Sequence, residues 1–337
     1  MKQVILRAYP QGEPRAEDFA IETVDIPTPG PGQVLLKTLW LSLDPLIRFA
    51  LDPQPLTGPN RVRVGEPLYG ATVSRVIASN NSTYAEGDYV EGRTGWREYA
   101  AIDPAAVPLR KIDPSVAPLS TALGVLGMPG QTAHACMIGV GRVAAGENVV
   151  ISAAAGAVGS LAGQIGKLLG ARVVGIAGGP QKCAALKELG FDDCIDYKAP
   201  DYAERLKEAS QGGFDVYIEN VGGVVTDAVL PLLKYRARMP VCGFISYYHI
   251  GREGPGPDRL PGFMRMIMSK GLEVRGFGGA MVGGKAALDD LTAWVKAGKI
   301  RYPETIVEGL EQAPGAFAGI FRGNHYVGKL LVKVAEP

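Results

Sequence analysis

Two glycines, Gly156 and Gly159, follow the apolar stretch Val149-Val-Ile-Ser152 and open a run, Ala157-Val-Gly-Ser-Leu-Ala-Gly-Gln-Ile165, with helical spacing. That order of strand, glycine turn and helix suits a phosphate. The first amides of a helix have no helical carbonyl to bond, and the dipole adds partial positive charge at the same end, so an anion is held by backbone alone. Glycine at 156 lets the backbone approach a pyrophosphate, and glycine at 159 lets the helix pack closely on the strand. Gly156, Ala157, Val158 and Gly159 are therefore the candidate phosphate-binding residues. The first position of the usual G-x-G-x-x-G fingerprint is Ala153, so spacing alone is a weak signal. Context strengthens it: the chain returns to a second apolar strand at 172–177, closing a strand–helix–strand unit of about 30 residues.

The residues just after that second strand select the nucleotide. NAD sites place Asp or Glu near its end to bind the ribose 2′-hydroxyl. This chain has Gly178-Gly-Pro-Gln-Lys182 there, without a carboxylate. Lys182 suits a 2′-phosphate, so NADP(H) is the expected cofactor.

The elements that must position these residues emerge from the surrounding pattern. Strand-like runs at 149–152, 173–177, 194–197, 216–220, 241–245 and 272–276 alternate with helical spacing at 182–189, 201–209 and 225–233. This predicts an α/β fold: a Rossmann-type doubly wound parallel sheet, with the ligand across the carboxyl ends of the strands at the switch point. The first 120 residues are rich in Pro and Gly, with short apolar runs at 33–41, 70–78 and 88–91, and read as a β-rich domain. After a helix at 285–296, strand-like segments at 304–308 and 328–334 are assigned back to that domain. The expected organisation is a substrate domain (1–120), a nucleotide domain (121–300) and a return to the substrate domain (301–337), with a ligand cleft between them. Loops at 52–66 and 247–268 are expected to wall the cleft, and the Gly/Pro-rich stretch 251–262 reads as an irregular, lid-like segment.

Composition limits the partners. At 337 residues two domains are the default, and 47% hydrophobic with 20% charged residues is ordinary for a globular protein. A formal net charge of +1 gives no basis for attraction to nucleic acid or membrane, which leaves small molecules. The start MKQVILRAYPQGEP lacks a signal-peptide pattern and no transmembrane-length apolar run occurs, so a soluble, cytoplasmic protein is expected. Cys136, Cys183, Cys194 and Cys242 are distant in sequence and read as reduced buried thiols. His134, His249 and His325 show no metal-ligand spacing, so no metal is expected.

Several segments together resemble the zinc-independent branch of the medium-chain dehydrogenase/reductase superfamily, which includes leukotriene and prostaglandin reductases, plant alkenal double-bond reductases and bacterial curcumin reductases. They are Leu41-Ser-Leu-Asp-Pro-Leu-Ile-Arg48, Gly95-Trp-Arg-Glu-Tyr99, Met128-Pro-Gly-Gln-Thr-Ala133, Ala153-Ala-Ala-Gly-Ala-Val-Gly-Ser160, Glu219-Asn-Val-Gly-Gly223 and Cys242-Gly-Phe-Ile-Ser-Tyr-Tyr248. The resemblance runs nearly end to end and implies that the β-rich domain is GroES-like. Zinc relatives carry a cysteine ligand where this chain has Asp44, and residues 1–135 contain no cysteine. With no Lewis acid expected, the implied chemistry needs only a hydride and a proton donor.

The resemblance implies reduction of the carbon–carbon double bond of an α,β-unsaturated aldehyde or ketone, with hydride going to the β-carbon. It places Tyr248 at the substrate, where a neutral phenol donates a hydrogen bond to the developing oxyanion. Tyr247 and His249 are neighbouring alternatives. It further implies Lys182 and Tyr197 at the adenine ribose phosphate, Asn220 at the nicotinamide half, and Cys242, Ser246 and Tyr248 along the pyrophosphate and nicotinamide, with Phe277 against the cofactor. Near the C-terminus, Gly323-Asn-His-Tyr-Val-Gly-Lys329 is one residue longer than the family pattern, so either Asn324 or Tyr326 takes the cofactor-facing place. A homodimer through the nucleotide domain is implied as well. Two other functions fit the same residues: an NADPH quinone reductase of this fold, and a crystallin-like nucleotide-binding protein without turnover.

Overall fold

The computed structural model describes residues 1–53, 61–249, 258–277, 284–324 and 326–337. The chain forms two compact units, one made of Met1–Leu123, Glu304–Asn324 and Leu330–Pro337, the other of Gly124–Pro303 and His325–Lys329.

In the first unit, β1 (Lys2–Leu6) and β2 (Phe19–Thr23) form an antiparallel pair. The main sheet is built on β3 (Val34–Ser42), whose sequence VLLKTLWLS is buried on both faces as a central strand must be. It pairs antiparallel with β4 (Thr72–Ser79), which continues through β5 (Tyr89–Gly92), and also with β6 (Tyr99–Ile102). The short strand β7 (Arg110–Ile112) closes that edge. Val34, Leu36, Val76, Val90, Ala100 and Ile102 form one core cluster between these strands.

The second unit starts with helix α1 (Met128–His134), which widens into a looser turn at Ala135–Val140. There follow β8 (Asn148–Ile151), α2 (Ala157–Leu168), β9 (Arg172–Ala177), α3 (Pro180–Glu188), β10 (Asp193–Asp196), α4 (Tyr202–Ala209), β11 (Phe214–Ile218), α5 (Gly223–Val229), β12 (Leu233–Val241), α6 (Leu260–Lys270), β13 (Glu273–Gly276) and α7 (Lys285–Lys296). The strands pair parallel in the order β10-β9-β8-β11-β12-β13. This is the doubly wound order, and its reversal point lies between β8 and β11. The chain then supplies β14 (Glu304–Glu308), helix α8 (Ala313–Phe321) and β15 (Lys329–Lys333), and β15 pairs antiparallel with β3. Phe317 of α8 meets Trp96 edge-on, with ring centroids 5.7 Å apart.

Three expectations need correction. Residues 242–245 are not a strand: β12 ends at Val241, and most of it lies upstream in Leu233-Lys-Tyr-Arg-Ala-Arg. Its outward residues are polar and Arg236 sits at φ 60°, so alternation is hidden from a reading of apolar runs. The apolar residues after Val241 instead lie along the exit of β11: Cys242 and Gly243 donate their N–H groups to Glu219 O, Ile245 to Asn220 O and Ser246 to Val221 O. The helix expected at 225–233 is α5 followed by a tight turn at Leu230–Leu232, where Pro231 blocks continuation. Of the segment expected to be irregular, residues 250–257 lie outside the described residues, while Pro261 and Gly262 begin α6, where a missing N–H costs nothing. Helices α1 and α8 escape a reading by pattern, because their Gly and Pro content resembles loop.

Candidate active site

The glycine turn lies at the carboxyl end of β8. Ala153 takes φ +47°, the left-handed conformation that the fingerprint normally gives to glycine. Gly156 donates its N–H to Ala153 O at 3.0 Å and caps α2. A Cβ at Gly159 would stand 2.5 Å from Ala153 O and 2.7 Å from Ala154 Cα, so only glycine lets α2 lie this close to the turn. Gly156, Ala157 and Val158 are half-buried and Gly159 is buried, which leaves the first-turn amides at the accessible end of α2. From the C-terminal segment Gly328 reaches the turn, donating its N–H to Ala155 O at 2.8 Å. Tyr326 belongs to this unit and Asn324 to the other, where Asn324 is exposed and donates its N–H to Gly319 O at the end of α8. His325 lies outside the described residues.

Across the switch point, one buried carboxylate organises both strand ends. Glu219 is 2% exposed. Its Oε1 accepts from Val221 N–H at 2.6 Å, Gly222 N–H at 3.1 Å and Ser152 Oγ at 2.9 Å, and its Oε2 accepts from Tyr217 OH at 2.7 Å and from Thr226 Oγ1. Ser152 follows β8, Val221 and Gly222 leave β11, and Thr226 lies in α5. A buried charge is tolerable only with such partners.

Asn220 is locked by the same arrangement. Its N–H donates to Ser152 Oγ at 2.8 Å and its Nδ2 to Ser152 O at 2.8 Å, while Cys242 Sγ donates to Asn220 Oδ1 at 2.7 Å. Because the carbonyl of Ser152 can only accept, the amide has one orientation. Cys242 is half-buried, and the thiol of buried Cys136 is pushed up by burial and then by its neighbour Cys242. Cys183 and Cys194 also meet, with sulfurs 2.8 Å apart, so the four thiols form two contact pairs despite their distance in sequence.

The two tyrosines of this loop have different surroundings. The Tyr247 ring covers Gly222, where a Cβ would stand 2.7 Å from it, and Ser246 lies beside Gly223. The Tyr248 hydroxyl lies beside Gly243, and its ring meets Phe244 edge-on with centroids 5.1 Å apart. Burial pushes the Tyr248 phenol up to about 12, opposed by a hydrogen bond from the Phe244 backbone. It is a neutral, protonated group at physiological pH. His249 Nδ1 is buried without a hydrogen-bond partner among the described residues. Phe277, half-buried, follows β13 directly.

At the far end of the sheet, Lys182 occupies the first turn of α3, half-buried, its ammonium pushed down by burial and by Lys198. Tyr197 follows β10 and is exposed, with its ring edge beside Gly178. Ser152, Glu219 and Lys198 belong to these clusters, yet the sequence assigns none of them a role, although Glu219 opens the segment Glu219-Asn-Val-Gly-Gly223. A further signal for Glu219 is an acid placed directly after the apolar strand Phe214-Asp-Val-Tyr-Ile218. Among the described residues no group of three or more His, Cys, Asp or Glu side chains converges as a metal site would require, and no helix is long and apolar enough to cross a membrane.

Residues 2–109 match the family described as N-terminal domain of oxidoreductase, and residues 157–296 the family described as zinc-binding dehydrogenase. The NADPH-dependent curcumin reductase of Escherichia coli is 45% identical over 335 residues, 98% of this chain and 96% of that protein. The chain belongs to the zinc-independent branch of the medium-chain dehydrogenases/reductases. Another member of this reductase branch, prostaglandin reductase 1 of Rattus norvegicus, is 40% identical over 97% of each chain. The crystal structure of CurA from Vibrio vulnificus in complex with NADPH superposes with a TM-score of 0.92 at 43% identity, covering both chains completely.

Proposed function

We propose that this chain is an NADPH-dependent reductase of carbon–carbon double bonds conjugated to an aldehyde or ketone carbonyl. The observation that carries the reading is what converges at the switch point: a glycine turn at a helix start, an asparagine amide locked in one orientation, and a protonated phenol on the adjoining loop. The relatives, a curcumin reductase and a prostaglandin reductase, point to the same chemistry.

The residues fit NADPH. Among the described residues a Cβ at Gly156 would meet Ala153 O alone, at 3.3 Å, which supports room for a phosphate ahead of α2. When bound, the cofactor supplies a hydride to the β-carbon of the substrate. The amides of Gly156, Ala157, Val158 and Gly159 hold the pyrophosphate; Lys182 and Tyr197 hold the adenine ribose phosphate; Asn220, Cys242, Ser246 and Phe277 line the nicotinamide half. Tyr248 donates its hydrogen bond to the carbonyl oxygen as negative charge arrives there, a role for which a group that stays protonated at neutral pH is suited. Water then gives a proton to the α-carbon of the enolate, which completes the saturated carbonyl product. The tail contact is decided by pairing Asn324→Ala with Tyr326→Phe in NADPH binding.

The β-rich unit takes the substrate-domain role, and the protein acts in the cytoplasm as a homodimer. The edge of β13, unpaired among the described residues, and the apolar residues Leu260, Met264 and Met268 exposed on neighbouring α6 support pairing through the nucleotide unit. Sedimentation at micromolar concentration would give a dimer mass; a monomer refutes this part. The function itself is tested by NADPH oxidation with alkenals, enones and quinones in parallel. Turnover of enones and enals but not of quinones supports it; quinones alone would make the chain a quinone reductase, and tight NADPH binding without turnover a nucleotide-binding protein.

A further inference from the structure

A second lysine stands beside Lys182. Lys198 follows β10 by two residues, and a Cβ built on Gly178, in the turn after β9, would lie 3.1 Å from Lys198 Cε and 2.9 Å from Tyr197 Cε1. Asp196 ties the two turns together: its Oδ1 accepts from Gly179 N–H at 2.8 Å and from Lys198 N–H at 3.0 Å. That carboxylate is committed to backbone, and neither Lys182 nor Lys198 forms an ion pair among the described residues. Their neighbours behave differently, since Lys167 pairs with Asp192 and Lys187 with Asp193. Lys182, at the start of α3, has its basicity lowered by burial and then by Lys198, so two ammonium groups share this corner of the unit while the Asp196 carboxylate between the turns accepts from backbone N–H groups.

We infer that Lys198 is a second cation for the 2′-phosphate of NADPH, so that discrimination against NADH is shared between α3, through Lys182, and the turn after β10, through Lys198. This rests on the NADPH reading above. A dianionic phosphate monoester between two ammonium groups relieves their repulsion and accepts a charge-assisted hydrogen bond from each. Gly178 lets Tyr197 and Lys198 lie directly against the turn after β9, because a Cβ there would stand 2.9 Å from Tyr197 Cε1 and 3.1 Å from Lys198 Cε. Asp196 is a positioning residue, fixing the distance between the two turns rather than touching the ligand.

The test is equilibrium binding of NADPH and NADH to the intact protein at fixed ionic strength, for wild type, Lys182→Met, Lys198→Met and Lys207→Met. Lys207 lies exposed on α4 and controls for the loss of one surface charge. Lys198→Met should weaken NADPH binding about tenfold, as for loss of one exposed charge-assisted hydrogen bond. It should leave NADH within about twofold of wild type, and Lys207→Met should change neither by more than that. Unchanged NADPH affinity in Lys198→Met beside a weakened Lys182→Met overturns the inference, as does equal weakening of both nucleotides. A wild-type protein that binds NADH as well as NADPH fails earlier, on the cofactor itself, and removes the inference with it.

Discussion

Replacing Glu219 by alanine should be among the most damaging single changes in the nucleotide unit, and by an amount its hydrogen bonds allow to be worked out. Five donors converge on this carboxylate. Three are hydroxyls that can turn elsewhere: Ser152 Oγ already lies 3.2 Å from Ile218 O, and Tyr217 and Thr226 are 3.3 Å from each other. The N–H groups of Val221 and Gly222 cannot turn. Each buried donor left unsatisfied costs about 1–3 kcal/mol, so Glu219→Ala should cost roughly 2–6 kcal/mol. With about 2–4 °C lost per kcal/mol in a unit of this size, melting should fall by roughly 4–24 °C. Glu219→Gln keeps an acceptor for both amides and offers its NH2 to two hydroxyls that can accept, so it should cost about 1–2 kcal/mol, the loss of charge assistance. Denaturant unfolding of the two variants beside wild type measures this directly. If Glu219→Ala lies within about 0.5 kcal/mol of wild type, or if the glutamine variant is the worse of the two, the carboxylate does not organise the switch point.

Tyr248→Phe should lower kcat for enone reduction about a hundredfold or more with NADPH affinity little changed, as for loss of one oxyanion donor; an unchanged kcat removes the phenol from the mechanism. Because its donor form exists on the acid side of a pKa raised to about 12, Tyr248 should impose no loss of kcat between about pH 6 and pH 10, with its alkaline limb only near the raised value. A Tyr248-dependent limb near neutrality in pH–rate profiles would contradict this. Ala153→Gly removes a left-handed alanine; relief of about 1–2 kcal/mol of strain against about 0.5–1 kcal/mol of glycine entropy predicts equal or slightly higher stability with NADPH binding retained. Thermal melting and nucleotide titration of that variant check both.

Much of the fold is legible in the chain because local pattern and tertiary role coincide. The glycine turn, β8, β9 and α2 are read from residues 149–177 since a buried parallel strand and a phosphate-facing turn each demand particular residue types within a few positions. β12 is hidden because the exposed run Lys234, Tyr235 and Arg236 separates its buried apolar residues Leu233 and Ala237 and breaks the alternation. The apolar run after it becomes loop through backbone bonds to Glu219, Asn220 and Val221, which are contacts over some 20 residues that periodicity cannot see. Lys182 stands out as the residue in place of an expected acid. Lys198 does not, because it reaches the same place from another strand. The contact pairs of thiols likewise exist only once α3, β10 and the start of β12's exit are folded.

The reading of this chain as a double-bond reductase stands or falls on where the hydride goes. The direct measurement is the product formed from an acyclic enone and NADPH carrying deuterium at its transferable position, read by NMR. A saturated ketone with deuterium on the β-carbon and none on the carbonyl carbon is expected. An allylic alcohol labelled at the former carbonyl carbon, or a saturated product without label at the β-carbon, would contradict that reading.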